Sequence, residues 1–335
     1  MAKIRVAING FGRIGRSAFK VALEKKNLEV VAINDLTDAK TLAHLLKYDT
    51  AYGIYEREVA ARLGKLIVDK KPYPIFAEKD PSKLPWRKLK VDVVLECTGV
   101  FTKDGAARVH LAAGAKRVIV SAPTKGTGGI KTFVMGVNED QFRGDAVISN
   151  ASCTTNCLGP VAQVILDKFG IKKAMMTTVH SYTQDQNLQD GPHRDLRRAR
   201  AAAANIVPTT TGAAIAATEA IPDLRGKFDG IALRVPTITG SVTDFTFLVS
   251  RRVSVDAING AFRAAARQKR YQGILAVTED PIVSSDIIGT TYSAIVDVGF
   301  TRVVDGDLVK VLAWYDNEWG YANRLVEQIA LVNAA

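Results

Sequence analysis

Cysteine is scarce in this 335-residue chain: three residues, Cys97, Cys153 and Cys157, cannot build a disulfide framework. That scarcity points to a reducing, cytoplasmic setting. Cys153 and Cys157 share one helical face, but no third or fourth ligand lies near them, so no metal site is expected. Long hydrophobic runs are also missing. None reaches the roughly 20 residues that cross a bilayer, and the chain enters a strand by Lys3 without the apolar core of a signal peptide. Acidic residues are short against basic ones, 34 to 45, which leaves a net charge of +11. Such a surface could serve nucleic acid, anionic substrates or simple solvation. Zinc-finger spacing, RNP-like motifs and basic tails are all absent, so nucleic acid is not expected as the primary partner. The one local basic cluster is Arg194, Arg197, Arg198 and Arg200. Histidine is scarce too: four in all, so candidates for a catalytic base are few.

Glycine is not scarce where it matters. Lys3 to Asn9 reads as a short apolar strand, and Gly10-Phe11-Gly12-Arg13-Ile14-Gly15 follows it directly into a helix-period stretch. Here Gly10 suits a tight turn, Gly12 a close approach of pyrophosphate to backbone, and Gly15 close packing of helix on strand. A second strand, Glu29 to Asn34, ends at Asp35, 20 residues past Gly15, where a carboxylate can hold the adenosine ribose hydroxyls. A carboxylate there repels a 2′-phosphate, which favours NAD over NADP. The bland alternative is that Asp35 only turns the chain into the helix expected over Thr37 to Lys47.

Strand and helix patterns alternate as far as residue 150: strands at Val91 to Cys97, Lys116 to Ser121, Thr132 to Met135 and Ala146 to Ser149, and a helix at Lys103 to Ala113. Arg57 to Glu78 reads as a β-rich excursion. Beyond a helix ending near Phe169, long strands dominate: Ala174 to His180, Gly230 to Val235, Ser241 to Ser250, Thr291 to Asp297 and Leu308 to Tyr315. The expected fold is α/β: a Rossmann-type doubly wound parallel sheet plus an α+β catalytic domain with a mostly antiparallel or mixed sheet. The expected division is 1–150, completed by a C-terminal helix over 317–335, and 151–316. The second part includes a strandless loop over 181–212, long enough to suggest function.

Cys153 opens a helix, preceded by Asn150-Ala151-Ser152. The field of unpaired amides at a helix start favours thiolate and should lower its pKa. A nucleophilic thiol needs a base or cation. His44 and His110 lie on apolar helices and read as structural, and His193 as a loop residue. His180 ends a strand, where catalytic groups are often presented, though a structural role is equally open. A reactive thiol beside a dinucleotide module suggests aldehyde oxidation: the thiolate adds to a carbonyl, hydride departs, and a thioester remains.

The ordered segments Ile8 to Arg16, Asn34-Asp35-Leu36, Ser121-Ala122-Pro123, Ala151 to Cys157, Thr178 to Thr183, Asp195 to Arg200, Pro208 to Ala213, Arg234-Val235-Pro236 and Trp314 to Glu318 cover essentially the whole chain. In them the sequence resembles phosphorylating glyceraldehyde-3-phosphate dehydrogenases. The resemblance implies oxidation of glyceraldehyde 3-phosphate to 1,3-bisphosphoglycerate with NAD and inorganic phosphate, through a Cys153 hemithioacetal and thioester. It makes Cys153 the nucleophile and His180 the base. It assigns Thr183 and Arg234 to the substrate phosphate, and Ser152, Thr154, Arg198, Thr211 and Gly212 to the attacking phosphate. It gives the cofactor Gly10, Gly12, Arg13, Ile14, Gly15, Asp35, Lys79, Ser121 and Asn317. It further implies a homotetramer. A closely similar erythrose-4-phosphate dehydrogenase and an NADP-linked form are the alternatives. A basic nucleic-acid-binding protein is the reading from another class.

Overall fold

The computed structural model describes residues 3–334. Residues 1, 2 and 335, at the ends of the expected first domain and last helix, lie outside the described residues. The chain divides into two compact units. The first runs to Phe133, resumes over Glu139–Ala151 and again from Ala322; the second comprises Val134–Asn138 and Ser152–Tyr321.

The first unit is built on a nine-stranded sheet. Its strands are β1 (Ile4–Asn9), β2 (Leu28–Asn34), β3 (Val59–Arg62), β4 (Lys65–Val68), β5 (Lys71–Phe76), β6 (Val93–Glu96), β7 (Arg117–Val120), β8 (Lys131–Thr132) and β9 (Val147–Ser149). They lie in the order β8-β9-β7-β6-β1-β2-β5-β4-β3. All pairings from β8 to β5 are parallel, and β3 and β4 add an antiparallel edge. Strand order reverses at β1, between β2 and β6, which is where doubly wound sheets open a crevice at their carboxyl ends. Burial on both faces explains the near-continuous apolar strands: Val6, Ala7, Ile8, Val93, Val94 and Leu95 are all fully buried. Helix α1 (Arg13–Glu24) follows β1 and α2 (Ala39–Lys47) follows β2. The helix expected over Lys103 to Ala113 shrinks to a 3₁₀ turn and α3 (Val109–Ala112), because Asp104 and Gly105 sit at φ 48° and 77°, outside helical space. The last helix contributes from Ala322 onward. There Leu325, Ile329 and Val332 are buried, and the Gln328 amide donates to the Phe133 carbonyl at 2.7 Å.

The second unit opens with α4 (Cys153–Phe169) and carries a seven-stranded mixed sheet. Its strands are β10 (Ile171–Ser181), β11 (Val207–Thr210), β12 (Phe228–Val235), β13 (Ser241–Val249), β14 (Leu275–Thr278), β15 (Ala294–Val304) and β16 (Leu308–Tyr315), in the order β11-β12-β10-β13-β16-β15-β14. Along β13 every second residue is buried, and Phe245 and Phe247 are fully enclosed. Each such ring is worth about 1.5–3 kcal/mol of burial. Helices α5 (Ala213–Ala220) and α6 (Val255–Ala266) complete the unit, and α7 (Trp319–Asn333) begins in it.

Three further elements differ from the sequence expectation. β11 lies inside the segment expected to lack strands; it is an edge strand and tolerates Pro208 for that reason. β14 is a four-residue edge on the other side. α5 is mostly alanine, with a single large apolar residue, Ile215, so it shows no amphipathic period.

Candidate functional site

In the first unit, the glycine turn is a packed object. Gly10 has φ 89°, and a methyl group there would meet the Thr98 amide nitrogen at 2.8 Å. A methyl at Gly15 would fall 2.0 Å from the Gly10 carbonyl oxygen, so α1 rests directly on the turn. Gly12 differs: space beside it is open, and it is the N-cap of α1, with no side chain to cover the first-turn amides. A bare helix start of this kind is an anion site. The Asp35 carboxylate is held at the end of β2 by two amides, Phe11 to Oδ2 at 2.7 Å and Thr37 to Oδ1 at 2.9 Å. It therefore turns the chain, as the bland alternative had it, while ordered acceptor oxygens stay at the crevice. The N-cap of α2 is Asp38, not Asp35. The Arg13 guanidinium pairs with the half-buried Asp49 carboxylate at 2.6 Å, and Arg13 and Ile14 are the first two residues of α1. The Ser121 amide donates to the Glu96 carbonyl at 2.9 Å, and Lys79 is exposed beside Glu78. These features fit a dinucleotide: open backbone at the phosphate position and a carboxylate at the ribose position.

In the second unit, α4 places the thiol. Ala151, at φ 55°, swings the chain out of β9, and left-handed backbone at a non-glycine residue often marks a functional turn. The Ser152 hydroxyl then accepts from the Thr155 amide at 3.1 Å and caps α4. Such a cap is worth about 1 kcal/mol, and it fixes Cys153 at the first helical position. The Cys153 sulfur lies 3.4 Å from His180 Nε2. His180 Nδ1 has two neighbours of opposite demand, the Ser181 carbonyl at 2.6 Å, which can only accept, and Arg234 Nη1 at 3.0 Å, which can only donate; the shorter contact favours the proton on Nδ1, with the Nε2 lone pair facing sulfur.

The expected fall in the Cys153 pKa is not found. Burial pushes the thiol up, and this outweighs the opposing pull of the Arg234 charge, the Thr154 hydroxyl and the backbone amides at the helix start. Burial and the Arg234 charge together push His180 down to about 3. Each charged form is thus disfavoured alone, and the pair holds a single proton across neutral pH. Moving that proton from sulfur to Nε2 creates two charges that neutralise each other.

Arg234 lies beside this pair. Its Nη1 is 3.0 Å from His180 Nδ1, donates to the Ser181 carbonyl at 3.1 Å and reaches the Thr183 hydroxyl at 3.4 Å. Its Nε is buried and has no partner among the described residues. A half-buried guanidinium whose buried Nε is unspent calls for an anion. Arg198 is more fully engaged: it pairs with Asp185, donates to Thr209 Oγ1 at 3.0 Å and to the Thr210 carbonyl at 3.2 Å. Its charge still reaches His180 and Arg234. Thr211 accepts from the Ala213 amide at 3.2 Å, and Gly212 is the N-cap of α5 with open space beside it. Asn317 is buried, and its Oδ1 accepts from Thr239, Gly240 and Ser241. That fixes the amide so that Nδ2 remains to donate.

Cys153, His180, Thr183 and Arg234 are therefore gathered at hydrogen-bonding range, from α4, β10, the turn after it and β12. Sequence reading missed Tyr315. Its hydroxyl bridges Thr154 at 3.0 Å and Thr178 at 2.8 Å, and its ring packs edge-on against His180. Its position at the end of β16, two residues before Asn317, was the available signal. Cys157 is buried one turn along α4, where its thiol meets the Ala313 carbonyl.

Comparison with known proteins bears on the family. Residues 4–104 match the family model described as glyceraldehyde 3-phosphate dehydrogenase, NAD binding domain, and residues 152–317 the one described as its C-terminal domain. Similar proteins include "Glyceraldehyde-3-phosphate dehydrogenase 2" of Streptomyces avermitilis, 53% identical over 332 residues. Glyceraldehyde-3-phosphate dehydrogenases of Geobacillus stearothermophilus and Mycobacterium tuberculosis are 53% identical over 331 residues and 55% over 337. In each case 98% of both chains is covered.

Proposed function

Because the chain belongs to the glyceraldehyde 3-phosphate dehydrogenase family, we propose that it oxidises glyceraldehyde 3-phosphate with NAD and passes the acyl group to inorganic phosphate, giving 1,3-bisphosphoglycerate. The observation that carries this reading is the Cys153–His180–Arg234 constellation. In it, Cys153 adds to the aldehyde carbon as His180 Nε2 takes the thiol proton. Nε2 hands that proton to the carbonyl oxygen as the hemithioacetal forms, and takes it back from the hydroxyl as hydride leaves. NAD, when bound, accepts that hydride. The thioester on Cys153 is a good acyl donor, and phosphate attacks it to free the thiol. Thr183 and the spare Arg234 donors suit the substrate phosphate, while Ser152, Thr154, Arg198, Thr211 and Gly212 suit the attacking one. The first unit, reaching about residue 150 and completed by the last helix, serves the cofactor, and the second serves the chemistry.

No described helix is long and apolar enough to cross a membrane. Three free thiols suit a reducing cytoplasm. Exposed apolar side chains at Met175, Leu188, Leu196, Ile206 and Ile231 favour assembly with further copies of the chain, as a homotetramer. Light scattering at micromolar protein checks this: a monomer mass would exclude it. The substrate reading is tested by comparing catalytic efficiencies on glyceraldehyde 3-phosphate and erythrose 4-phosphate. A higher value on erythrose 4-phosphate would replace the reading with the alternative.

Two variants probe the binding assignments. Asp35→Ala removes both an acceptor for the ribose hydroxyls and the repulsion against a 2′-phosphate. The ratio of efficiencies with NADP and NAD should rise by about tenfold or more, the worth of one charge-assisted hydrogen bond; an unchanged ratio contradicts the ribose role. Arg234→Leu removes the half-buried guanidinium. Glyceraldehyde 3-phosphate should lose at least about 2 kcal/mol of transition-state binding, and unphosphorylated glyceraldehyde much less. Equal losses would show that Arg234 serves His180 or the fold and does not select for phosphate.

A further inference from the structure

Asn9, Asn34, Glu96 and His110 are buried polar side chains that the chemistry above does not use. They form one connected array in the first unit. The Trp86 indole donates to His110 Nδ1 at 3.0 Å, so the His110 proton sits on Nε2 and is donated to Glu96 Oε2 at 2.9 Å. Asn9 Nδ2 donates to the same oxygen at 2.5 Å. The other oxygen, Oε1, accepts the Thr98 amide at 2.8 Å and the Thr98 hydroxyl. Four donors thus converge on one enclosed carboxylate.

The Thr98, Asn9 and Asn34 ends of this array reach segments of the cofactor cradle, while the Trp86 end lies in the apolar core. Thr98, held by Glu96, is the residue against which Gly10 is packed. Its hydroxyl also accepts from the Val100 amide at 3.1 Å and so shapes the turn after β6. Asn9 directly precedes Gly10. Its Oδ1 accepts from Asn34 Nδ2 at 2.7 Å, and Asn34 directly precedes Asp35. Asn34 also binds both backbone groups of Glu78, at 2.9 and 3.0 Å, next to Lys79. Four strand ends and loops are therefore registered to one another through buried side chains.

We propose that Glu96, oriented by the Nε2–H of His110, is a positioning residue for the NAD cradle: it sets the spacing between the glycine turn, the Asp35 segment and the Thr98 turn. Neither residue touches the cofactor in this account, and the proposal rests on the reading of the first unit as an NAD site. A carboxylate is required because all four contacts are donors; an amide in its place turns an NH₂ group towards two of them.

The test compares His110→Gln, His110→Asn and Glu96→Gln with the parent. Glutamine keeps a donor near the Nε2 position, whereas asparagine keeps only the acceptor near Nδ1 that serves Trp86. NAD dissociation constants come from titration of intrinsic fluorescence, KM and kcat from NADH formation, and fold integrity from the thermal midpoint and the rate of Cys153 alkylation without NAD. Glu96→Gln and His110→Asn should weaken NAD binding by about tenfold or more, the equivalent of one charge-assisted hydrogen bond. Their kcat at saturating NAD should stay within about twofold, and His110→Gln should bind NAD within about threefold of the parent. Equal losses in the two His110 variants, or a fall in kcat without a change in NAD affinity, would overturn the proposal. NAD affinity that follows the thermal midpoint across all three variants would overturn it as well. A parent protein that fails to bind NAD overturns the cofactor reading and the proposal together; a parent that binds NAD while all variants bind equally well overturns the proposal alone.

Discussion

Cys153→Ser should lose turnover by about 10⁴-fold or more while NAD affinity stays within about twofold. A serine hydroxyl is several units harder to deprotonate than a thiol, and an alkoxide is the nucleophile it would have to supply. The site gives it no extra help: burial already opposes negative charge at this position. The cradle made by Gly10, Gly15 and Asp35 belongs to the first unit and is untouched by the change. Cys157→Ser is the control. Cys157 is fully buried and faces Ala313, so its loss should leave most activity. A dead Cys157 variant with an active Cys153 variant would reverse the assignment of the nucleophile.

His180→Asn should lower the rate of hydride transfer by roughly 10²- to 10⁴-fold, the span of lost general-base help. The same variant should change how the thiol titrates. In the parent, sulfur and Nε2 lie 3.4 Å apart, and the Nε2 lone pair is open to the thiol proton because burial and the Arg234 charge, which push His180 down to about 3, keep the imidazole neutral. Without that acceptor the thiol loses the partner for its proton, and burial, which already outweighs the Arg234 charge and the helix-start amides, holds its pKa higher. Iodoacetamide labelling of Cys153 should therefore slow at neutral pH and recover only at higher pH. Labelling profiles that coincide in the two proteins would show that the pair is uncoupled.

How far the site could be read from the sequence followed the range of the interactions. The glycine turn and Asp35 were legible because strand, turn, helix and strand lie within one stretch of some 30 residues, and local sterics fix them. Cys153 and His180 were legible as types, from a helix start and a strand end. Their approach to within 3.4 Å depends on the pairing of β10 between β12 and β13, which no local pattern encodes. Burial was illegible for the same reason, so the helix field at Cys153 was expected to win and did not. Tyr315 and the Glu96–His110 contact are long-range pairings of residues that look structural in sequence, and His110 on an apolar helix was read that way. The Arg198 cluster was visible as charge, but its engagement with Asp185 arises from a loop fold without periodicity. Helix α5 escaped because a stretch that is mostly alanine carries no helical period.

The central claim is that a thioester forms on Cys153 and awaits phosphate. Rapid mixing of the protein with NAD and glyceraldehyde 3-phosphate, with and without inorganic phosphate, addresses it directly through NADH absorbance. Without phosphate, the account predicts a burst of NADH no larger than one per Cys153, followed by near arrest, with the acyl group recoverable on that residue. Adding phosphate should start continuous turnover. Steady NADH formation at the same rate in the absence of phosphate, with no acyl group held on Cys153, would contradict it.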